Sequence, residues 1–236
     1  MNSIIKKIRY ELKKNCDEKF KKSGQRFFKE EVKLYGVKSW IVRKISKDNF
    51  KNIKDKTKKE LFAICEELLK SGYLEESFIA CHWSEFSNKD FDKPDINTFE
   101  HWIDRYIKNW ATCDTFCNHT VGGYIEKYPE KIQVLKKWAK SDNLWMRRSS
   151  AVSLIIPAKR GLFLNQIFEI ANILLEDKND MVQKGCGWML KEASKNHTDE
   201  IFNYVLENKK KMPRTVLRYA IEKMPKDLKV KAMKRE

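Results

Sequence analysis

The chain is short of the residues that break helices, with 8 glycines and 5 prolines among 236 positions. Such scarcity argues against a fold of many short strands and tight turns, and for helices joined by brief connections. Long apolar runs are missing as well. None approaches the roughly 20 residues that a membrane-spanning helix needs. The opening Met1-Asn2-Ser3-Ile4-Ile5-Lys6-Lys7 also lacks the apolar core of a secretory signal. The expectation is a cytoplasmic protein away from membranes, with Cys16, Cys65, Cys81, Cys113, Cys117 and Cys186 as free thiols. Negative charge is scarce too: 33 acidic residues stand against 49 basic ones, a net of +16. What the chain does have is 42% hydrophobic and 12% aromatic residues, too much for a disordered polymer.

A basic excess of this size calls for a polyanionic partner unless it reflects lysine-rich codon usage alone. Its distribution decides between the two. Residues 1–60 carry 20 basic and 8 acidic side chains, a net of +12, whereas residues 61–134 carry 7 and 13, a net of −6. Residues 135–199 return to +4 and residues 200–236 to +6. A uniform bias would not leave an acidic centre between basic ends. Nucleic acid is the polyanion this pattern suits.

Apolar residues recur at three- and four-residue spacing along almost the whole chain. The spacing predicts helices from Ser3, over 18–34, from a Ser39 cap, from Thr57 to a stop at Gly72, and over Leu74 to Phe86. It predicts a loop over 87–97 and helices from Thr98, over 112–127 and over 130–140. A further helix runs from an Asp142 cap to Ile156, ahead of Pro157. The last helices cover 163–176, 180–195, 199–211 and 213–224. Helix pairs recur at roughly 35–40 residues, a period of helical repeat proteins. The expected fold is all-α: a HEAT-like α-solenoid of about a dozen antiparallel helices with a concave basic face. It would form one domain over 1–224, followed by a frayed basic tail over 225–236.

Three stretches could carry chemistry. In Asn109-Trp110-Ala111-Thr112-Cys113-Asp114, a helix running throughout would put Trp110 and Asp114 on one face at i, i+4. If Thr112 is instead the cap, Asp114 lies in the first turn, where the helix dipole favours the carboxylate. The plainer alternative makes Trp110 core and Asp114 a capping residue. Arg147 and Arg148 occupy the first turns of a helix against its dipole, an arrangement that an anionic partner would offset. Gly185 and Gly187 each cost a helix about 1 kcal/mol relative to alanine, which makes sense where a neighbouring helix or a ligand comes close. Cys113, Cys117 and His119 lack the second ligand pair of a zinc site, so no metal and no cofactor is expected.

These stretches resemble blocks of the AlkD-like family of DNA alkylation repair glycosylases, which are HEAT-like solenoids. Tyr35-Gly36-Val37-Lys38 resembles its Gly-x-Lys loop, and Trp110 to Asp114 with Val121-Gly122 its Trp-x-x-x-Asp block. Ser141-Asp142-Asn143-Leu144-Trp145-Met146-Arg147-Arg148 resembles its Ser-Asp-Asn-x-Trp-x-x-Arg block, and Gln183-Lys184 through Gly187-Trp188 to Lys191-Glu192 its Gln-Lys-x-x-Gly-Trp block. Order and spacing agree over about residues 30–200. The resemblance implies Asp114 as catalytic carboxylate, Trp110 and Trp188 flanking the deoxyribose, and Arg148 on the DNA backbone, with Arg147, Lys191, Lys184 and Lys38 as further DNA contacts. It implies a monomer acting on double-stranded DNA with alkylated bases, and a base that need not be flipped into a pocket. The acidic residue that can follow the first Trp is Ala111 here, and the family includes members without glycosylase activity. The alternative is a non-catalytic HEAT-like module that binds damaged or branched DNA.

Overall fold

Helix follows helix in the computed structural model, which describes residues 3–234; among them no strand forms beyond an isolated bridge between Lys33 and Tyr73. The chain divides into two compact units, Met1–Phe116 and Cys117–Glu236.

The first unit holds α1 (Ser3–Lys14), α2 (Glu18–Gln25), α3 (Ser39–Phe50), α4 (Lys58–Lys70), α5 (Leu74–Phe86), α6 (Asp95–Tyr106) and α7 (Trp110–Phe116). Alternate helices pack in a row, α1 on α3, α3 on α5 and α5 on α7, while α4 packs on α5 and on α6. This layering is what amphipathic helices joined by short turns give when each buries one stripe. The core shows the stripe directly. Ile4, Ile5, Ile8 and Leu12 are the buried residues of α1. Phe62, Phe91, Phe99, Trp102 and Phe116 form a web of edge-on and tilted rings with centroids 5.0–6.3 Å apart.

The second unit opens with a π-helical turn, Cys117–Val121, and continues with α8 (Gly122–Lys127), α9 (Gln133–Trp138), α10 (Leu144–Val152) and α11 (Ile155–Lys159). It ends with α12 (Leu164–Leu174), α13 (Asp180–Ala193), α14 (Thr198–Asn208), α15 (Arg214–Ala220) and α16 (Lys226–Met233). Here α10, α13 and α15 form the row, and α12 backs on α13.

Several helix ends depart from the sequence reading, each for a local reason. The helix expected over 18–34 stops at Gln25, whose side-chain amide donates to the Glu30 carbonyl (2.7 Å) and accepts from Val32 N (3.1 Å), holding a loop in place of further turns. Ser39 is not the cap of α3 but its first residue; Lys38 stands at the cap position, without a side-chain cap bond. Thr57 does cap α4, in a reciprocal box with Glu60. α6 begins at Asp95, three residues before Thr98, and the Asp95 carboxylate accepts from Asp92 N at 2.7 Å. Asn143, not Asp142, caps α10. Pro157 does not end a helix: it lies in the first turn of α11, where its missing N–H costs nothing. The tail expected to fray is helical over Lys226–Met233, with Arg235 and Glu236 outside the described residues.

Candidate active site

In the first unit the site is built on α7. Asn109 sets its start: the side-chain oxygen accepts from Thr112 N (2.9 Å) and the backbone carbonyl from Cys113 N (3.1 Å). Thr112 is therefore not the cap, and Trp110 is the first helical residue. Asp114 lies beyond the first turn, so dipole stabilisation is small there. With the helix running from Trp110, the i, i+4 alternative holds, and Trp110 and Asp114 share a face. Packing fixes which face that is. Ala111, Thr112, Cys113 and Phe116 are buried, and Phe116 is wedged against Phe99 and Trp102. Trp110 and Asp114 are left half-buried, neither in the core nor free in solvent.

Trp110 is held firmly. Its indole N–H donates to the Phe27 carbonyl (3.3 Å), and its ring stacks on Phe28 with centroids 5.6 Å apart and planes 26° off parallel. Beside it opens an apolar cavity of about 390 Å³, with Phe20, Phe27, Leu34 and Phe78 in its walls. A neighbouring cleft of about 350 Å³ is lined by Trp40, Arg43, His82 and Thr115, the residue after Asp114. Trp40 is 66% exposed.

The Tyr35-Gly36-Val37-Lys38 loop is pinned by a carboxylate that the sequence reading missed. Glu75, 3% exposed, accepts from the backbone N–H groups of Tyr35 (3.0 Å), Gly36 (2.8 Å) and Val37 (3.1 Å). Its neighbour Glu76 takes the Arg9 guanidinium (3.0 and 3.1 Å from Nε) and the Tyr35 hydroxyl (2.7 Å). Burial first, and then that bond, push the Tyr35 phenol above its ordinary range. Gly36 is at φ +87, and a Cβ there would lie 2.6 Å from the Asp17 carbonyl. The only sequence signal for this anchor is a pair of adjacent acids at the start of an otherwise apolar helix. Lys38, leading from the loop into α3, is exposed.

In the second unit, α13 carries Lys184, Trp188 and Lys191, spaced so that all three lie along one side. Trp188 is half-buried. The two glycines answer to neighbours. A Cβ on Gly187 would lie 2.5 Å from Tyr219 Cβ and 3.0 Å from the Val216 carbonyl, so this glycine lets α15 approach. A Cβ on Gly185 would press at 3.3 Å on Arg148, whose guanidinium lies along α13 one turn before Trp188 and donates to the Met181 carbonyl. Arg148 is 5% exposed. Arg147 differs: Nε contacts Asp177 at 2.6 Å, and Nη1 donates to the carbonyls of Ser141 and Asp142, both at 2.9 Å. It ties the turn before α10 to the turn before α13. Lys184 pairs with Asp180 (3.3 Å), and Lys191 pairs with Glu222 (3.2 Å) while lying 5.7 Å from the Tyr219 ring centroid.

Cys117 is an interior thiol bonded to the Ser149 hydroxyl at 3.1 Å. Burial pushes the thiols of Cys65 and Cys81 far up and that of Cys186 up to about 12, and none of the six cysteines is in a disulfide. No described helix is long and apolar enough to cross a membrane.

Residues 8–224 match the sequence profile of the family described as DNA alkylation repair enzyme. A solved structure from Enterococcus faecalis, described as a predicted DNA alkylation repair enzyme, superposes with a TM-score of 0.81. The two are 14% identical, over 90% of this chain and 98% of that one, so the likeness is one of fold. No curated protein sequence matches this chain significantly.

Proposed function

The chain belongs to the DNA alkylation repair enzyme family, and from that premise we propose that it is a DNA glycosylase. Its substrates would be cationic alkylated purines, such as 7-alkylguanine and 3-alkyladenine, in double-stranded DNA. The observation that carries this reading is the pairing on α7. A half-buried carboxylate and a half-buried indole sit one turn apart on the same face, and Asn109, not Asp114, does the capping.

The chemistry follows from charge. Cleaving an N-glycosidic bond builds positive charge on the sugar, and standard glycosidases supply one carboxyl group as acid and another as base or nucleophile. A 7-alkylguanine already carries a positive charge. When the N9–C1′ bond breaks, its electron pair goes to the base and neutralises that charge, so no acid is needed. One carboxylate, Asp114, then suffices to stabilise the sugar cation. It also positions a water whose oxygen bonds to C1′ and whose proton leaves through the carboxylate. Trp110, one turn from Asp114, offers a ring face to the cationic sugar; a like role for Trp188 rests on the family resemblance alone. Lys184, Lys191 and Lys38 would meet the phosphates, while Arg148, buried along α13 and bonded to the Met181 carbonyl, would serve DNA binding by holding α10 to α13, and Arg147 by holding the turn before α10.

The test is selectivity. A duplex carrying 7-methylguanine should release the free base over time, whereas the same duplex carrying a neutral lesion such as hypoxanthine should not. Equal release of both would show an acid at work and overturn the single-carboxylate scheme.

A further inference from the structure

Helix α2 does work that excision chemistry does not require. None of its residues is buried, so it adds almost nothing to the core. Yet it is fixed at both ends: Asp17 N donates to the Gly36 carbonyl (3.1 Å), the Asp17 carboxylate caps Phe20 N (3.0 Å), and Gln25 brackets the following loop. Gly36 lacks the Cβ that would drive the loop off Asp17 and Lys21. A short helix outside the core, held this closely, is being presented to something.

What it presents is apolar. Phe20 and Gly24, one turn apart on α2, and Phe27, in the turn that follows it, together wall the 390 Å³ cavity beside Trp110. Phe27 is 74% exposed and Phe20 39%, so these rings have not found a place in the core. The volume lies within the roughly 300–1,000 Å³ typical of small-ligand sites. Around the stripe stand cations: Lys19, Lys21, Lys22 and Arg26 are all exposed. Rings to stack on, with a cationic rim beside them, are the two parts of a site for unpaired nucleic acid.

We propose that this cavity binds an unpaired nucleobase, stacked among Phe20, Phe27 and Trp110, while the adjoining phosphates of a single strand lie on Lys19, Lys22 and Arg26. The rim selects this occupant. A second copy of the chain would bring the same cations, in a segment of net +12 over residues 1–60, against themselves. A polyanion is complementary to it, and apolar rings accept any base because every base has a π-face. The cavity borders the excision site proposed above through Trp110, but its own rings are Phe20 and Phe27 and it does not depend on Asp114.

The experiment compares two single strands of equal length and charge on the full chain, by fluorescence anisotropy at fixed salt. One is an oligothymidylate; the other has the same backbone with abasic sites in place of bases. Oligothymidylate should bind about tenfold more tightly, the scale of one stacked base. Replacing Phe20 and Phe27 together by Ala should remove that difference; both are exposed, and thermal unfolding checks that the fold is kept. Lys22→Ala with Arg26→Ala should weaken both strands alike. Equal affinity of the wild-type protein for the two strands overturns the proposal, as does a preference that survives loss of both rings. A concentration-dependent dimer in sedimentation, dissolved by Phe27→Ala, would assign the cavity to a second copy and overturn it too. Release of 7-methylguanine, followed separately, stands or falls with Asp114, so the two readings fail independently.

Discussion

Glu75 shows how much one side chain organises here. It is a buried carboxylate that accepts from three consecutive backbone N–H groups and thereby fixes Tyr35, Gly36 and Val37. Glu75→Gln keeps the shape but leaves a donor facing a donor. The expected cost is about 1–3 kcal/mol, the scale of stranding a buried polar group, read as a lower urea midpoint with an unchanged slope. An unchanged midpoint would show that water replaces the carboxylate. Arg148 makes the complementary case. It is almost wholly buried against α13, so Arg148→Ala should weaken DNA binding and lower the melting temperature together. Weaker binding with unchanged melting would mean that the side chain serves the ligand alone.

At the scale of elements, close helix contacts set the tolerances. Gly187→Ala would place a methyl within 2.5 Å of Tyr219 Cβ, and forcing α13 from α15 should cost about 1–3 kcal/mol, visible in thermal unfolding. The thiols report the same packing. Five of the six cysteines are buried and only Cys16 is exposed, so a thiol reagent at neutral pH should label one cysteine in the native protein and six in denaturant. Much of this level was legible in the sequence. The period of apolar residues gave α5 at its observed ends and the Thr57 cap of α4, because both depend on neighbours in the chain. Trp110 and Asp114 emerged as a pair for the same reason: i, i+4 spacing is local. The grip of Phe28 and the Phe27 carbonyl on Trp110 was not legible, since those groups lie 82 and 83 positions away. Nor was the Glu75 anchor, 38–40 positions from the amides it holds. Arg147 and Arg148 are alike in sequence and different in place; only the arrangement of Asp177 and Gly185 tells one from the other.

For the whole molecule, the proposed function assigns encounter to charge and chemistry to a single carboxylate. With a net charge of +16, affinity for duplex DNA should fall steeply as salt rises, because each phosphate contact releases close to one counterion. Flat affinity between low and moderate salt would remove the electrostatic basis for DNA as partner. The central claim is that Asp114 stabilises a developing sugar cation, and the most direct measurement is single-turnover release of 7-methylguanine by the wild-type protein and by Asp114→Asn, with thermal unfolding on the same samples. The substitution keeps size and removes charge. Release should slow by about 10²-fold or more, the loss expected when one preorganised electrostatic stabiliser is removed. The cost in stability should be about 1 kcal/mol at most, because the Asn109 cap of α7 is kept. Equal release rates for the two proteins would contradict the account.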